Sequence, residues 1–233
     1  CRVAVTVDTK VNEDGSGTVD VGLGLDDAAL ARSGNLDRTV VVDDLRATGW
    51  VVAPSKEEAD GLTWLRASKP FATLEEGTRI LGDLTGPTGA FRDFAITKED
   101  GLGRTTWRLT GTLDLSRGLD TFADPELATA LGGDPFGGWI PAIEEAEGRP
   151  ARDMVDVTVM FALPDGDPKT FTPKLGDPVP TRVDVDAQKT FVLPLPLGGS
   201  ATGVGGWILL GGVVIVGAGS LGFLRRRFRA VGR

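Results

Sequence analysis

The chain has no histidine and no tyrosine, and it has a single cysteine among its 233 residues. Without histidine, a Ser–His or Cys–His triad and a His-bearing zinc site are both excluded. One cysteine leaves no internal disulfide framework. The phosphate-cradling GxxxxGK[ST] pattern is missing, and Gly22-x-Gly24 lacks a third glycine and runs into acidic residues. Basic charge is scarce where it would matter for polyanions. Of the 25 Lys and Arg, five lie after residue 224, which leaves 20 against 33 Asp and Glu, a net of −13 before that point. Such a balance lacks the basic footprint that phosphate backbones need, so no nucleic-acid partner is expected.

Adjacent carboxylates do occur, at Asp26-Asp27, Asp43-Asp44, Glu57-Glu58, Glu75-Glu76 and Glu144-Glu145. Each falls at a helix start, on a helix surface or in a turn, where a solvated face explains it. Asp165-Gly166-Asp167 is the nearest approach to a calcium loop and lacks the rest of the twelve-residue pattern. No catalytic residue, metal site or cofactor is therefore assigned, and the chain is expected not to be an enzyme.

What the chain does have is an uncharged stretch at 203–224, GVGGWILLGGVVIVGAGSLGFL, followed at once by Arg225, Arg226, Arg227 and Arg229. At about 1.5 Å per helical residue, this length spans the roughly 30 Å of a bilayer's hydrocarbon core. The arginines mark the cytoplasmic end. The expectation is a single-pass membrane protein with residues 1–193 outside the cytoplasm, a Pro/Gly/Ser linker at 194–202, a span at 203–224 and a basic cytoplasmic tail at 225–233. Cys1 at the head of a strand is expected to carry a lipid, as the first residue of a mature lipoprotein does. Short tethers at both ends would then hold one face of the domain near the bilayer.

Alternation dominates the first 193 residues. Val3, Val5, Val7 and Val11 face one way, the turn Asn12–Gly17 follows, and Val19, Val21, Leu23 and Leu25 return. Residues 26–48 read as helical, with Gly49 as the stop. Strands are expected at 50–53 and 62–68, and Thr73 to Glu76 has capping-box spacing for a helix through Leu84. A second hairpin pairs 91–97 with 104–115. Asp124-Pro125 opens a short helix that ends at Gly132. In 154–163, Val155, Val157, Val159, Phe161 and Leu163 share a face, and a last strand runs from 182 to 193. These half-polar strands predict an α+β domain: one mainly antiparallel sheet, two or three helices packed on one face, and the C-terminal transmembrane helix.

The run GGDPFGGWIP sets Phe136, Trp139 and Ile140 among glycines and prolines, where neither helix nor strand packing explains them. These three residues are the candidate ligand-binding lid, a loop able to touch lipid, the alternative being a loop folded back to plug the end of the core. It is expected on the membrane-proximal side.

Cys1 before an alternating strand, Asp14-Gly15-Ser16-Gly17, Gly49-Trp50, Leu163-Pro164-Asp165-Gly166 and the C-terminal span together resemble the LppM-like lipoproteins of actinobacterial envelopes. The resemblance implies an envelope domain similar to lipid-binding folds, with membrane glycolipids of the phosphatidylinositol-mannoside type as ligands. Its function would be lipid or glycolipid binding at the outer leaflet. The alternatives are an accessory subunit docking on a membrane protein complex and, less favoured, a carboxylate-only hydrolase.

Overall fold

Two hairpins and a late parallel strand build the frame. In the computed structural model, β1 (Val3–Val11) and β2 (Gly17–Leu25) pair antiparallel, Val11 opposite Gly17. Asp14 closes the turn by accepting from the backbone N–H and the hydroxyl of Ser16. The structure describes residues 1–33, 42–85, 89–118, 121 and 140–191.

Helices α1 (Asp27–Ser33) and α2 (Val42–Ala47) follow. Asp26 caps the first by accepting from Ala29 N–H at 2.8 Å. Gly49, at φ 89°, ends the second as expected: its N–H reaches Arg46 C=O and Trp50 N–H reaches Leu45 C=O, the paired bonds of a Schellman stop. Short strands β3 (Val51–Val52) and β4 (Lys56–Glu57) then flank β5 (Thr63–Phe71), which lies antiparallel to β2. Helix α3 (Leu74–Asp83) starts at Thr73, whose hydroxyl accepts from Glu76 N–H. The Glu76 carboxylate reaches back to Ala72 N–H, one residue before the position a capping box usually takes.

β6 (Phe91–Gly101) and β7 (Arg104–Leu113) form the second hairpin. Helix α4 (Ile140–Glu147) and a 3₁₀ turn at Ala151–Asp153 lead into β8 (Val155–Ala162), then β9 (Lys169–Phe171) and β10 (Thr181–Thr190).

These strands make two sheets among the described residues, not the one sheet expected. The larger has seven strands in the order β3-β5-β2-β1-β8-β9, with β4 also on β5, and the smaller is β10-β7-β6. β8 runs parallel to β1, Val3 beside Val155. The α+β class and the mostly antiparallel pairing hold. The expected arrangement of helices alone covering a sheet face does not. The half-polar strands of both hairpins have apolar faces to bury, and the second sheet supplies most of the cover that helices were expected to give.

The core lies between the sheets. Val7, Val19, Val157, Val159 and Phe161 from the larger meet Phe94, Trp107, Leu109, Val183 and Val185 from the smaller, with Ile80 and Leu81 from α3. A second cluster sets Leu25, Val52, Leu65 and Ala67 against Ala29 and Leu30 of α1 and Leu45 of α2.

Residues 1–193 pack as one unit, with its two chain ends at opposite ends of the strands. Cys1 sits beside Asp26 and Glu147, whereas Lys189, near the end of β10, pairs with Glu13 in the β1–β2 turn. The nine residues of β1 separate the two places, about 30 Å at strand rise.

Candidate functional site

Because side chains alternate across a strand, the face of the large sheet turned away from the core is fixed by the same register that builds the core. Asp8 stands opposite Asp20, and Asp20 opposite Ser68. One step along, Thr6 faces Gly22 and Gly22 faces Arg66. Another step brings Ala4, Gly24 and Trp64 into line. A cleft of about 390 Å³ opens here, lined by Thr6, Asp8, Asp20, Arg66 and Ser68, with Val51 and Ala53 at the β3 edge and Val21 and Ala67 completing the wall.

Two glycines shape the sheet surface beside it. A Cβ on Gly24 would lie 2.8–2.9 Å from the Trp64 indole, so the ring rests flat on the bare backbone. A Cβ on Gly22 would meet Thr6 Oγ1 at 2.5 Å. Trp64 is locked in place, its Nε1–H donating to Asp60 Oδ2 at 3.0 Å. Arg66 lies over that ring, its guanidinium carbon 4.3 Å from the centroid. Glu58 holds the same guanidinium by a two-pronged bond, Nε to Oε1 at 2.8 Å and Nη2 to Oε2 at 2.9 Å. Both partners are exposed, so the pair adds little stability and acts mainly to orient Arg66.

The electrostatics follow from this packing. Burial raises the Asp8 carboxyl above its usual range, the facing Asp20 adds to the rise, and Arg66 partly opposes it. Glu58 is held low by its bond from Arg66, and Arg66 is raised by the same bond. The cleft thus offers two carboxylates, two hydroxyls and one oriented cation between aliphatic walls. That set can accept from and donate to the hydroxyls of a polyol. Its carboxylates disfavour an anion resting on the floor.

Cys1 lies far from the cleft, among Asp26, Glu147 and Arg149. Its α-ammonium is 2.9 Å from Glu147 Oε2 and 3.6 Å from Asp26 Oδ2, and Arg149 Nη2 donates to its carbonyl at 3.3 Å. Of the candidate lid, Ile140 opens α4, while Phe136 and Trp139 lie outside the described residues. The 203–224 stretch and Arg225, Arg226, Arg227 and Arg229 lie outside them too. Among the described residues no helix is long and apolar enough to cross a membrane.

The cleft residues were missed because the adjacent carboxylate pairs drew attention. Asp8 and Asp20 are twelve apart in sequence yet equidistant from Asp14 at the turn, so the hairpin register alone would have placed them together. No protein-family model, curated protein or solved structure matches the chain.

Proposed function

We propose that the chain is a membrane-anchored envelope module that binds the polyol headgroup of glycolipids through the outer-face cleft. The anchor is the uncharged 203–224 stretch, with the arginine tail on the cytoplasmic side and, at the other end, a lipid on Cys1. The observation that carries the reading is the Asp8–Asp20 pair beside an oriented Arg66, set in a cleft of about 390 Å³. A site of this size, with mainly aliphatic walls and a few convergent polar groups, suits a small ligand. The inter-sheet core described above is filled by side chains such as Trp107 and Phe161, so an acyl chain has its place in the bilayer and the cleft takes the headgroup. Inositol- and mannose-bearing headgroups, the class the LppM-like resemblance implies, supply the vicinal hydroxyls that carboxylates accept from.

The test uses the full chain in nanodiscs, titrated with a phosphatidylinositol-mannoside glycolipid and with phosphatidylcholine. Glycolipid binding that weakens at least tenfold in Asp20→Asn is expected. Equal affinity for both lipids, untouched by Asp20→Asn, would overturn the reading. Release of free sugar during the titration would instead favour a hydrolase working with carboxylates alone.

A second reading, an accessory subunit docking on a membrane protein complex, draws on the β3 edge. Val51 there is 68 % exposed beside the cleft, and β3 ends the sheet. Co-purification of a membrane protein that Val51→Glu abolishes, with no lipid selectivity, would favour it.

A further inference from the structure

The β6–β7 hairpin turns on two residues, Leu102 and Gly103, with Gly101 opposite Arg104. Gly103 takes φ 75°, which the tight turn needs. Leu102 needs nothing of the kind, yet it is 95 % exposed at the very tip. β10 pairs with β7 up to Thr190 opposite Arg104, and Phe191 N–H then donates to Gly103 C=O at 2.7 Å. The Phe191 ring is 47 % exposed beside the same tip. Single exposed apolar residues are ordinary on a protein surface. These two differ in being joined at the point where the chain leaves the last strand. From Phe191 to Leu224 there is no charged residue, and 192–202 reads VLPLPLGGSAT before the long apolar stretch begins. Eleven such residues reach at most about 40 Å when fully extended, so the tip stays within that leash of wherever 203 enters lipid.

We infer that the Leu102–Phe191 tip is a lipid-contacting surface, which inserts its two side chains at the headgroup level of the bilayer that receives the 203–224 stretch. The inference rests on the 203–224 anchor proposed above, and on neither the cleft nor a lipid on Cys1, which lies at the opposite end of the strands. Charge at the tip specifies the mode of contact. Glu99 and Asp100 stand beside Lys98 and Arg104, and Lys189 is held by Glu13 and Asp165, so the tip presents no cationic excess. Contact is therefore apolar, indifferent to anionic lipid and insensitive to salt. Val179 supplies an internal control: it is 71 % exposed but lies before Thr181, at the other end of β10. Ten strand residues put it about 33 Å from the tip.

The test places a nitroxide at Leu102→Cys or at Val179→Cys in full-length Cys1→Ser chain, reconstituted into phosphatidylcholine nanodiscs. Collision with dissolved oxygen and with a water-soluble nickel chelate is read for each label. The expected result is an oxygen-to-nickel ratio at least threefold higher at 102 than at 179, unchanged by 30 % phosphatidylglycerol or by 0.5 M salt. A disc-bound chain with equal ratios at the two positions overturns the tip contact and leaves the anchor standing. A ratio that rises only with phosphatidylglycerol overturns the apolar mode. A chain that fails to stay with the discs overturns the anchor, and the tip contact with it.

Discussion

The two faces of the large sheet are written by the same strands and behave as different materials. In β8, Val155, Val157, Val159 and Phe161 are buried, while Asp156 between the first two is exposed. In β1 the inward Val7, Thr9 and Val11 alternate with outward Asp8 and Lys10. The inner face is sealed by a second sheet and by helices. The outer face, among the described residues, carries glycines, hydroxyls and charges around a cleft. Burial of apolar surface decides the first face, whereas the second is tightly packed only where Ala4, Leu62 and Trp64 cluster and is free elsewhere to hold polar chemistry.

The largest test of that contrast is a pair of neighbours. Val157→Asp places a carboxylate on the sealed face, where the side chain is 6 % exposed, and should cost several kcal/mol, about 3 or more. Thr158→Asp, one residue on and facing out beside Thr6, should stay within about 1 kcal/mol. Denaturant midpoints read both, and equal losses would show that the faces are not distinct.

Gly24→Ala comes next, because it attacks the outer face where that face is tight. Its Cβ would sit 2.8–2.9 Å from Trp64, a ring 6 % exposed and tied to Asp60. A loss of about 1–3 kcal/mol is expected, together with weaker ligand binding in the cleft. A neutral Gly24→Ala would mean that Trp64 is not fixed against the sheet as described.

Thr9→Val probes the opposite flaw, a polar atom on the apolar face. Thr9 is 1 % exposed, and its hydroxyl has no hydrogen-bond partner among the described residues. Replacing it by valine should stabilise the protein by about 1 kcal/mol, measured as a rise in Tm. A drop would reveal a partner for the hydroxyl outside the described residues.

These particulars explain what could be read from the sequence. The β1–β2 hairpin, the Gly49 stop, the Thr73 cap and the inward set of β8 rest on local signals: period-two alternation, turn chemistry and capping residues. Each was legible because neighbours in sequence decide it. The parallel pairing of β8 with β1 joins residues about 150 apart, and nothing local in Val155–Ala162 says whether its partner runs parallel or antiparallel. The pairing of β10 with β7, between residues 68 to 86 apart, hid the second sheet in the same way. The cleft failed to show for a different reason: its members lie on β1, β2, β3 and β5, each unremarkable alone. Hairpin register could have united Asp8 with Asp20, but Arg66 reaches them only through the β2–β5 pairing. The candidate lid at Phe136, Trp139 and Ile140 was picked on composition, and its first two residues lie outside the described structure.

The smallest effect separates the faces by pH. Asp8 has its carboxyl raised by burial first and by Asp20 second, so ionising it costs the folded state more than the unfolded chain. Below the unfolded value of 3.8 both states are protonated and Asp8 contributes nothing. As pH climbs from there through the raised folded value, the unfolded chain sheds its proton first, and the native state loses stability relative to it. The penalty is complete above the folded value and is present at neutral pH. Asp8→Asn removes it, so the variant should be more stable than the parent at pH 7, the gain vanishing as pH falls toward 3.8. Asp114 should behave in the opposite sense. Its carboxylate accepts from Ser116 N–H and Oγ–H and pairs with Arg92 at 2.8 Å, and it is held low chiefly by those Ser116 bonds. Asp114→Asn should therefore cost stability at pH 7, and the difference from the parent should shrink as pH falls through the lowered value. Urea midpoints at pH 7, 4.5 and 3 for both variants read the signs. An Asp8→Asn gain that is constant across the three pH values would mean that the substitution acts through packing, and that the Asp8–Asp20 pair is not the charged floor of the cleft.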